Sequence, residues 1–336
     1  MKKSGDLKKP ISKKGKHIKL SELSLRDKIG QLVFINPKGK KIKYIKELKI
    51  GGIFLNKRTG NKESVFKERI NFYQDNSKIK LFVAADMEGL INPFKNFYKS
   101  KIFGNIETGK EAYDLGDEHG KILKGLGFNV NFSPVTEMRN NVWPGRTFQG
   151  TFEDVKEKIL RYIKGLKHQG IKTTAKHFPG GSLVKNPHIV KYTTKIYPED
   201  LELFKEAIKE GTDFVMTGHP KVWGEIDSKG KQASISKKVI SKLRDDLNFK
   251  GIIITDAVTM LGLRLSYLFN FKKVYPDLIK AGNDIILDTH IHSGFRRLKK
   301  RIEYLEKLVN KGDISEERIN ESVKRILEMK GYIVKK

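Results

Sequence analysis

The sequence predicts an α/β fold, a single-domain (β/α)8 TIM-like barrel, from its pattern of strands and helices. Eight short apolar runs recur along the 336-residue chain. Most of them are continuous rather than alternating, which is typical of parallel strands buried on both faces. Amphipathic helical patterns lie between many of the runs, and strands that alternate with helices indicate βαβ units. An open doubly wound sheet is the main alternative, but neither a GxGxxG nor a P-loop pattern follows the first run.

The predicted elements follow one another in chain order. The strands are residues 32–35 (LVFI), 52–55 (GIFL), 81–85 (LFVAA), 130–135 (VNFSPV), 172–178 (KTTAKHF), 213–219 (DFVMTGH), 251–255 (GIIIT) and 284–287 (DIIL). The clearest helices are predicted over residues 62–76, 154–170 and 198–211. The last of these begins with Pro198 and ends at Gly211, as helices commonly do. Between the first two strands the sequence predicts only a shorter helix.

Composition limits the functions that this chain can have. It contains no cysteine, which excludes disulfides, thiolate metal ligands and a cysteine nucleophile. No apolar run reaches the roughly 18 residues that a membrane helix needs. The net charge of +29 would attract nucleic acid or an anionic surface, but the lysines are scattered instead of forming one stripe with aromatic residues. We therefore expect no specific nucleic-acid partner and interpret the lysines mainly as a solvated surface.

The N-terminal segment differs in composition from the rest of the chain. Residues 1–20 carry many lysines but no apolar stretch, so they do not resemble a secretory signal. We predict a flexible basic N-terminal arm over residues 1–20 and a barrel domain over residues 21–336, and we expect a cytoplasmic location.

Polar side chains gather directly after the predicted strands. The carboxyl ends of barrel strands share one rim, where enzymes with this fold place their active sites. A ring of polar residues at this rim predicts a concave, polar binding pocket. The group comprises Asn56, Lys57, Arg58, Asp86, Glu88, Glu137, Lys176, His177, His219, Asp256, Asp288 and His290.

Several kinds of chemistry compete for this rim. His177, His188, His219 and His290 are candidate metal ligands, but their spacing matches no HExxH or comparable zinc pattern, and no cofactor is implied. A Ser-His-Asp hydrolase would need a GxSxG elbow, which the sequence lacks. Carboxylate chemistry fits better, since Asp256 ends the most hydrophobic strand, in GIIITDAVTM. Asp256 either caps the following turn or acts as a nucleophile on an anomeric carbon.

A series of motifs in a fixed order identifies a family. From about Ser24 onward the chain contains LSLRDKIGQLVFI, IGGIFL, LFVAADMEG, LGFNVNFSPVTEM, GRTFQGTFEDV, IKTTAKHFPGG, GTDFVMTGHPKV, ASISKKVISKLRDDLNFKGIIITDAVTM and ERINESVKRILEMKG. Together these segments resemble glycoside hydrolase family 3, in its single-domain bacterial β-N-acetylhexosaminidase branch. The resemblance implies a monomeric, retaining exo-β-N-acetylhexosaminidase with a TIM-like barrel and no cofactor. Such an enzyme hydrolyses terminal N-acetylglucosamine from small peptidoglycan-derived glycans through a covalent glycosyl-aspartate intermediate.

The resemblance also implies roles for individual residues. Asp256 would be the nucleophile, and residues at matching positions would hold the hydroxyls of the sugar, because a carboxylate and cations can clamp neighbouring hydroxyls. Taken alone, Lys176 and His177 also fit a solvated lysine and a buried structural histidine. The predicted substrate-binding residues are Asp86, Glu137, Arg146, Lys176, His177 and His219.

The resemblance assigns the general acid/base to a loop after KHFPG. In this branch of the family, a histidine in that loop pairs with an aspartate two residues earlier, and His188 stands at the matching position. Asn186 occupies the place of the aspartate, and an amide cannot stabilise an imidazolium as a carboxylate does. The predicted catalytic residues are therefore Asp256, His188 and Asn186.

Two further positions depart from the family pattern. After Asp86, the usual EGG-Arg becomes EGLI at residues 88–91, which removes an arginine expected near the substrate. Glu137 stands where an aspartate is common and carries its carboxylate about one methylene further. These departures leave two alternatives open: a barrel that binds sugars without cleaving them, and a phosphorolytic variant in which phosphate replaces water.

Overall fold

The computed structural model describes residues 16–138, 140–181, 191–267, 270–289 and 294–335. Within them the strands are β1 (His17–Lys19), β2 (Val33–Ile35), β3 (Gly52–Phe54), β4 (Phe82–Ala85), β5 (Val130–Asn131), β6 (Thr174–Phe178), β7 (Thr193–Ile196), β8 (Phe214–Thr217), β9 (Lys221–Gly224), β10 (Ile252–Thr255), β11 (Ile286–Asp288) and β12 (Ile333–Lys335). The helices are α1 (Leu25–Gln31), α2 (Lys43–Lys46), α3 (Glu63–Asp75), α4 (Gly109–Leu126), α5 (Phe152–His168), α6 (Pro198–Lys209), α7 (Lys237–Ser241), α8 (Leu261–Tyr267), α9 (Val274–Ala281), α10 (Gly294–Asn310) and α11 (Glu316–Met329).

Parallel strands form the wall of the barrel. Five of them are ordered β11–β2–β3–β4–β5 and three are ordered β10–β8–β6. Isolated parallel bridges join the two sheets at both edges, between Val130 and Lys172 and between Ile254 and Ile285. The strands therefore follow one another around a ring in chain order. All eight predicted strands are present, and the predicted α/β barrel is confirmed.

The three clearest predicted helices are α3, α5 and α6, and α2 is the predicted short helix. The sequence explains α5 well: Thr151 and Asp154 form a capping box at its start, and its apolar residues share one buried face. Helices α4 and α5 pack at very short range. A Cβ on Gly165 would lie 2.2 Å from the carbonyl oxygen of Tyr113, so only glycine fits at that contact.

Two small parallel sheets lie outside the wall. β1 pairs with β12, so the described fold already includes His17–Lys19 of the segment that we predicted as an arm, whereas residues 1–15 lie outside the described residues. β7 pairs with β9 along their whole length. Among the described residues, no helix combines the length and apolar composition that crossing a bilayer requires.

Candidate active site

A cavity of about 760 Å3 opens where the barrel strands end. Most of the residues predicted for the site line this cavity, which supports the expected polar pocket at the carboxyl ends of the strands. They are Asp86, Glu137, Arg146, Lys176, His177, His219 and Asp256. The two remaining predicted residues, His188 and Asn186, lie outside the described residues.

Charges alternate along one side of the cavity. The side chain of Lys176 is only 1% exposed, and its Nζ donates to Asp86 Oδ1 at 2.7 Å and also pairs with Glu88. Glu88 is fully buried and accepts two hydrogen bonds from the guanidinium of Arg146, one of them at 3.0 Å between Nη2 and Oε1. Two cations thus balance two carboxylates, as burial of charge requires.

This network separates the pKa values of its two carboxyls. Burial alone would raise the pKa of Glu88, but the charges of Arg146 and Lys176 outweigh burial and lower that pKa to about 2. Burial raises the pKa of Asp86 against the opposing effect of Lys176, and the nearby charge of Glu88 raises it further. Glu88 is therefore a fixed anion that holds two cations in place, whereas Asp86 is the carboxyl of the network that reaches the cavity.

A second group of side chains centres on His177. Its Nδ1 lies 2.9 Å from Glu137 Oε1, and its Nε2 lies 3.8 Å from Asp256 Oδ2. The other oxygen of Glu137, Oε2, is buried and has no hydrogen-bond partner within the described part of the chain. His177 thus lies between two carboxylates, with one ring nitrogen directed to each.

The end of β6 places two consecutive side chains in the same cavity. Neighbouring residues of a regular strand point to opposite faces. Between Lys176 and Phe178 the register of β6 against β8 shifts, since Lys176 pairs with Met216 and Phe178 with Thr217. This bulge lets Lys176 and His177 both line the cavity, as bulges near active sites commonly re-aim side chains.

Asp256 directly follows β10, and its Oδ1 accepts a hydrogen bond of 2.6 Å from the backbone N–H of Ala257. The next helix, α8, begins only at Leu261. Asp256 is therefore not the N-cap of α8, but its carboxylate does accept a hydrogen bond from the first peptide of the turn, as the capping alternative expects. Its side chain faces the cavity.

His219 supports the same turn from the other side. Its Nε2 lies 3.3 Å from the carbonyl oxygen of Ala257, and its Nδ1 lies 2.7 Å from Ser234 Oγ. Because a carbonyl can only accept, Nε2 carries the proton and Nδ1 accepts from the Ser234 hydroxyl. Burial lowers the pKa of His219, so the ring is neutral and holds the chain next to Asp256 in place.

Sequence reasoning missed some residues of the site and overestimated others. Tyr192 also lines the cavity; burial raises its pKa, and the charges of Glu137 and Asp256 raise it further, so it stays a neutral phenol. No motif marks Tyr192.

Asp288, expected at the rim, instead accepts a hydrogen bond of 2.8 Å from Tyr275 and pairs with Arg301. Among the described residues, no three His, Asp or Glu side chains form a group that could hold a metal ion.

Residues 24–329 match a known family, described as the glycosyl hydrolase family 3 N terminal domain. This match covers most of the chain. The chain belongs to glycoside hydrolase family 3.

Several known proteins are similar to this chain over much of its length. A beta-N-acetylglucosaminidase/beta-glucosidase of Cellulomonas fimi is 24% identical, over 94% of this chain and 58% of its own length. Beta-hexosaminidase A of Pseudoalteromonas piscicida is 27% identical, over 76% of this chain and 48% of its own. This chain therefore spans about half the length of these curated relatives. A family 3 beta-N-acetylglucosaminidase structure from Paenibacillus sp. str. FPU-7 superposes with a TM-score of 0.84 at 28% identity, covering 92% of this chain and 62% of that one.

The EGLI departure from the family 3 pattern alters the cavity wall. Leu90 and Ile91 line the cavity, with 42% and 39% of their surfaces exposed. They give this part of the cavity mouth an apolar surface. Arg146 and Lys176 are the cations that pair with Glu88.

Proposed function

We propose that this family 3 chain is a retaining exo-β-N-acetylhexosaminidase that removes terminal N-acetylglucosamine from small peptidoglycan-derived glycans. The observation that carries the proposal is the carboxylate of Asp256, which faces the cavity with its Oδ2 3.8 Å from His177 Nε2. The names of the similar proteins support the choice of sugar, since they include a beta-N-acetylglucosaminidase and a beta-hexosaminidase.

The reaction proceeds by two displacements at the anomeric carbon. In the first, an oxygen of Asp256 bonds to that carbon while its bond to the leaving oxygen breaks, and His188 gives a proton to the leaving oxygen. In the second, water attacks the anomeric carbon, His188 takes a proton from the water, and the bond to Asp256 breaks. Two inversions retain the configuration of the sugar.

The residues around Asp256 hold the sugar during both steps. Asp86 and Lys176 form a pair 2.7 Å apart that clamps neighbouring hydroxyls through charge-assisted hydrogen bonds. Arg146 lines the same wall, and His177 holds a further hydroxyl while Glu137 orients its ring. His219 keeps the backbone after Asp256 in position. Most of the binding groups are bonded to one another before substrate arrives, which preorganises the site.

The proposed acid/base, His188, belongs to a nine-residue segment, 182–190, that lies outside the described residues. Described residues on either side of this segment are held by hydrogen bonds. The amide of Gly181 donates to the carboxylate of Asp200, and the carbonyl of Tyr192 accepts from the amide of Lys221 at 3.0 Å. We propose that Asn186 leaves His188 active but weaker than an aspartate would, because an amide offers no charge to stabilise the imidazolium.

Cations around the cavity would attract the acidic groups of a peptidoglycan fragment. Lys57, Arg58, Lys95 and Arg264 line it, and none of them forms an ion pair with another described residue. Such cations attract the carboxylates that peptidoglycan fragments carry on their lactyl and peptide groups. We propose that the protein acts as a monomer in the cytoplasm; light scattering and cell fractionation test these two points.

Trapping the intermediate tests the nucleophile. A 5-fluoro derivative of N-acetylglucosaminyl fluoride should add its glycosyl mass to the peptide that contains Asp256, and the variant Asp256→Asn should stay unlabelled. Proton NMR of the first product formed should show the β anomer. Turnover without any label, or an α anomer as first product, would overturn the mechanism.

Leaving-group dependence tests the acid/base. His188→Ala should slow cleavage of an alkyl glycoside far more than that of a dinitrophenyl glycoside, which needs no proton, and azide should restore part of the dinitrophenyl rate. Asn186→Asp should raise the rate on the alkyl glycoside. Equal losses on both substrates would exclude His188 as the acid.

Two alternatives have specific observations in their favour. Asn186 together with the missing arginine at residues 88–91 favours a barrel that binds sugars without cleaving them; calorimetry would then show binding without turnover, and Asn186→Asp would gain nothing. The rim cations and the uncharged Asn186 favour phosphate as the acceptor instead of water. Release of a sugar phosphate, and a rate that depends on added phosphate, would identify that variant.

A further inference from the structure

Several exposed apolar side chains lie in or near the elements that surround the cavity. Among the described residues six large apolar side chains are exposed, and Leu90 and Ile91 line the cavity itself. Leu265 is the neighbour of Arg264, which also lines it. Tyr197 directly follows β7, and Trp223 lies in β9. The sixth, Ile333, lies in β12, far along the chain from these elements.

Tyr197 and Trp223 belong to one surface, which we name the ribbon platform together with Lys195. β7 and β9 pair so that Lys195 lies opposite Trp223, and Tyr197 directly follows β7. The Nζ of Lys195 lies 4.9 Å from the ring centre of Tyr197 and 5.2 Å from that of Trp223. The opposite face of the sheet, formed by Thr194, Ile196 and Val222, is buried. The platform is therefore the exposed face of a sheet whose opposite face is packed against the rest of the protein.

The two strands of the ribbon platform begin close, along the chain, to residues that line the cavity. Tyr192 and His219 both line the cavity; β7 begins one residue after the former and β9 two residues after the latter. A strand rises about 3.3 Å per residue, so Trp223 lies no more than roughly 14 Å along the chain from His219. That is a distance that a few linked sugar units span.

We propose that Lys195, Tyr197 and Trp223 bind a glycan chain whose terminal sugar occupies the cavity. The proposal rests on the proposed function, which places a sugar there. Flat aromatic rings pack against the C–H faces of pyranose rings and remove exposed apolar area from water. The Lys195 ammonium supplies donors to hydroxyl or carbonyl oxygens. A protein partner fits less well, since specific protein interfaces bury about 800 Å2 on each side and this platform consists of three side chains.

The binding test uses glycol chitin, a soluble and uncharged polymer of N-acetylglucosamine, so that the net charge of +29 does not itself retain the protein. Electrophoresis in gels that contain this polymer should retard the wild-type chain. Trp223→Ala and Tyr197→Ala should each weaken the apparent affinity by roughly 5- to 10-fold. Ile333→Ala, which removes an equally exposed apolar side chain elsewhere, should migrate as the wild type does. An unretarded wild type, or equal retardation of Trp223→Ala, would overturn the proposal.

Kinetics separate this proposal from the proposed function. The ratio of kcat/KM for chitohexaose to kcat/KM for an aryl N-acetylglucosaminide should fall roughly 5- to 10-fold in Trp223→Ala and stay unchanged in Ile333→Ala. If the enzyme is active on both substrates and Trp223→Ala does not change this ratio of kcat/KM values, the ribbon platform does not bind the glycan chain. A chain with no turnover that still binds glycol chitin through Trp223 would keep the platform and lose the proposed hydrolase function.

Discussion

Glu88 determines how charge is balanced beneath the sugar site. It pairs with both Arg146 and Lys176, and those cations lower its pKa to about 2. Glu88→Gln would leave two buried cations facing the single carboxylate of Asp86. We expect a loss of about 3–5 kcal/mol in the free energy of unfolding and a rise in KM of at least roughly tenfold, measured by chemical denaturation and by steady-state kinetics.

Asp284 provides a matched control for Glu88. It is also fully buried, and it accepts hydrogen bonds from Arg244 at 2.7 Å and from Arg325 at 3.0 Å. It precedes β11 and does not line the cavity. Asp284→Asn should therefore lose a similar amount of stability while keeping the KM of the wild type. A Glu88→Gln enzyme with an unchanged KM would show that the network has only a structural role.

The buried His119 makes the free energy of unfolding depend on pH. It is fully buried, with Nε2 2.7 Å from Ser100 Oγ and Nδ1 2.8 Å from the Tyr162 hydroxyl, and burial lowers its pKa to about 3. The unfolded chain, with a histidine pKa near 6.5, therefore binds more protons between these values. Stability contributed by the neutral ring is complete above pH 6.5 and falls as the pH drops towards 3, by about 2 kcal/mol between pH 6.5 and 4.5.

The variant His119→Gln tests this pH dependence. Glutamine can still bond to Ser100 or Tyr162 but does not titrate, so the difference in unfolding free energy between pH 6.5 and 4.5 should shrink by about 2 kcal/mol. Urea denaturation at the two pH values measures this difference. An equal decline in both proteins would assign the acid sensitivity to other groups.

At the residue scale, the sequence predicted the groups that directly follow strands, because the ends of strands meet at one rim. Asp86 and Asp256 are of this kind, and Lys176 lies near the end of β6. Glu88 was predicted at the rim but given no role, and Tyr192 was not predicted, since the roles of both depend on which distant residues pack against them. Tyr192 follows a segment with no strand pattern, so only the folded chain shows that it lines the cavity.

At the scale of elements, the bulge in β6 shows what periodicity cannot reveal. A period of two would place Lys176 and His177 on opposite faces of the strand. The register shift between Lys176 and Phe178 is a property of the pairing with β8, and nothing in the run KTTAKHF requires it. The sequence therefore predicted the strand but could not explain from the residues alone why both side chains reach the cavity.

Gly181 directly precedes residues 182–190, the segment that carries His188. Gly181 has φ +84°, and a Cβ there would lie 2.8 Å from Thr194 Cγ2 and 2.9 Å from Thr194 Oγ1. Gly181→Ala should cost roughly 2–3 kcal/mol of unfolding free energy, about half of it from the left-handed backbone. It should also lower kcat, because the anchor of the proposed acid/base loop shifts.

Gly170 is the control for this substitution. It has φ +78°, but a Cβ on Gly170 would meet no atom within 4 Å. Gly170→Ala should therefore show only the backbone cost, about 1–2 kcal/mol, and keep the kcat of the wild type. If the two alanine variants behave alike in stability and in kcat, the contact with Thr194 does not hold the loop.

At the scale of the whole molecule, the barrel was predictable because its wall strands are buried on both faces and so are apolar along their length. The β7–β9 and β1–β12 pairs were not predicted. Their strands are only three or four residues long, only one face of β7 is buried, as in its sequence TTKI with alternating burial, and each pairs with a strand distant in sequence. Short strands of this kind lack the continuous apolar signal that identified the barrel.

The overall charge of +29 is a property of the whole surface, but its effect on substrate depends on where the cations lie. Lys57 and Arg58 are exposed and line the cavity. Charges at the mouth act on an anionic substrate over about one Debye length, roughly 10 Å at 0.1 M salt. Cations elsewhere on the barrel lie beyond that range and contribute much less.

Charge reversal at the mouth therefore should weaken the reaction with acidic fragments selectively. The double variant Lys57→Glu/Arg58→Glu should lower kcat/KM for N-acetylglucosaminyl-N-acetylmuramic acid by about 10-fold at low salt, and added salt should reduce this difference. The rate on uncharged chitobiose should change much less. Lys237→Glu/Lys238→Glu alters the net charge by the same amount on two exposed residues of α7 that do not line the cavity. The two double variants change the net charge equally but at different positions. Equal losses of kcat/KM would therefore attribute the effect to total charge. The cations at the cavity mouth would then no longer explain a preference for acidic glycans.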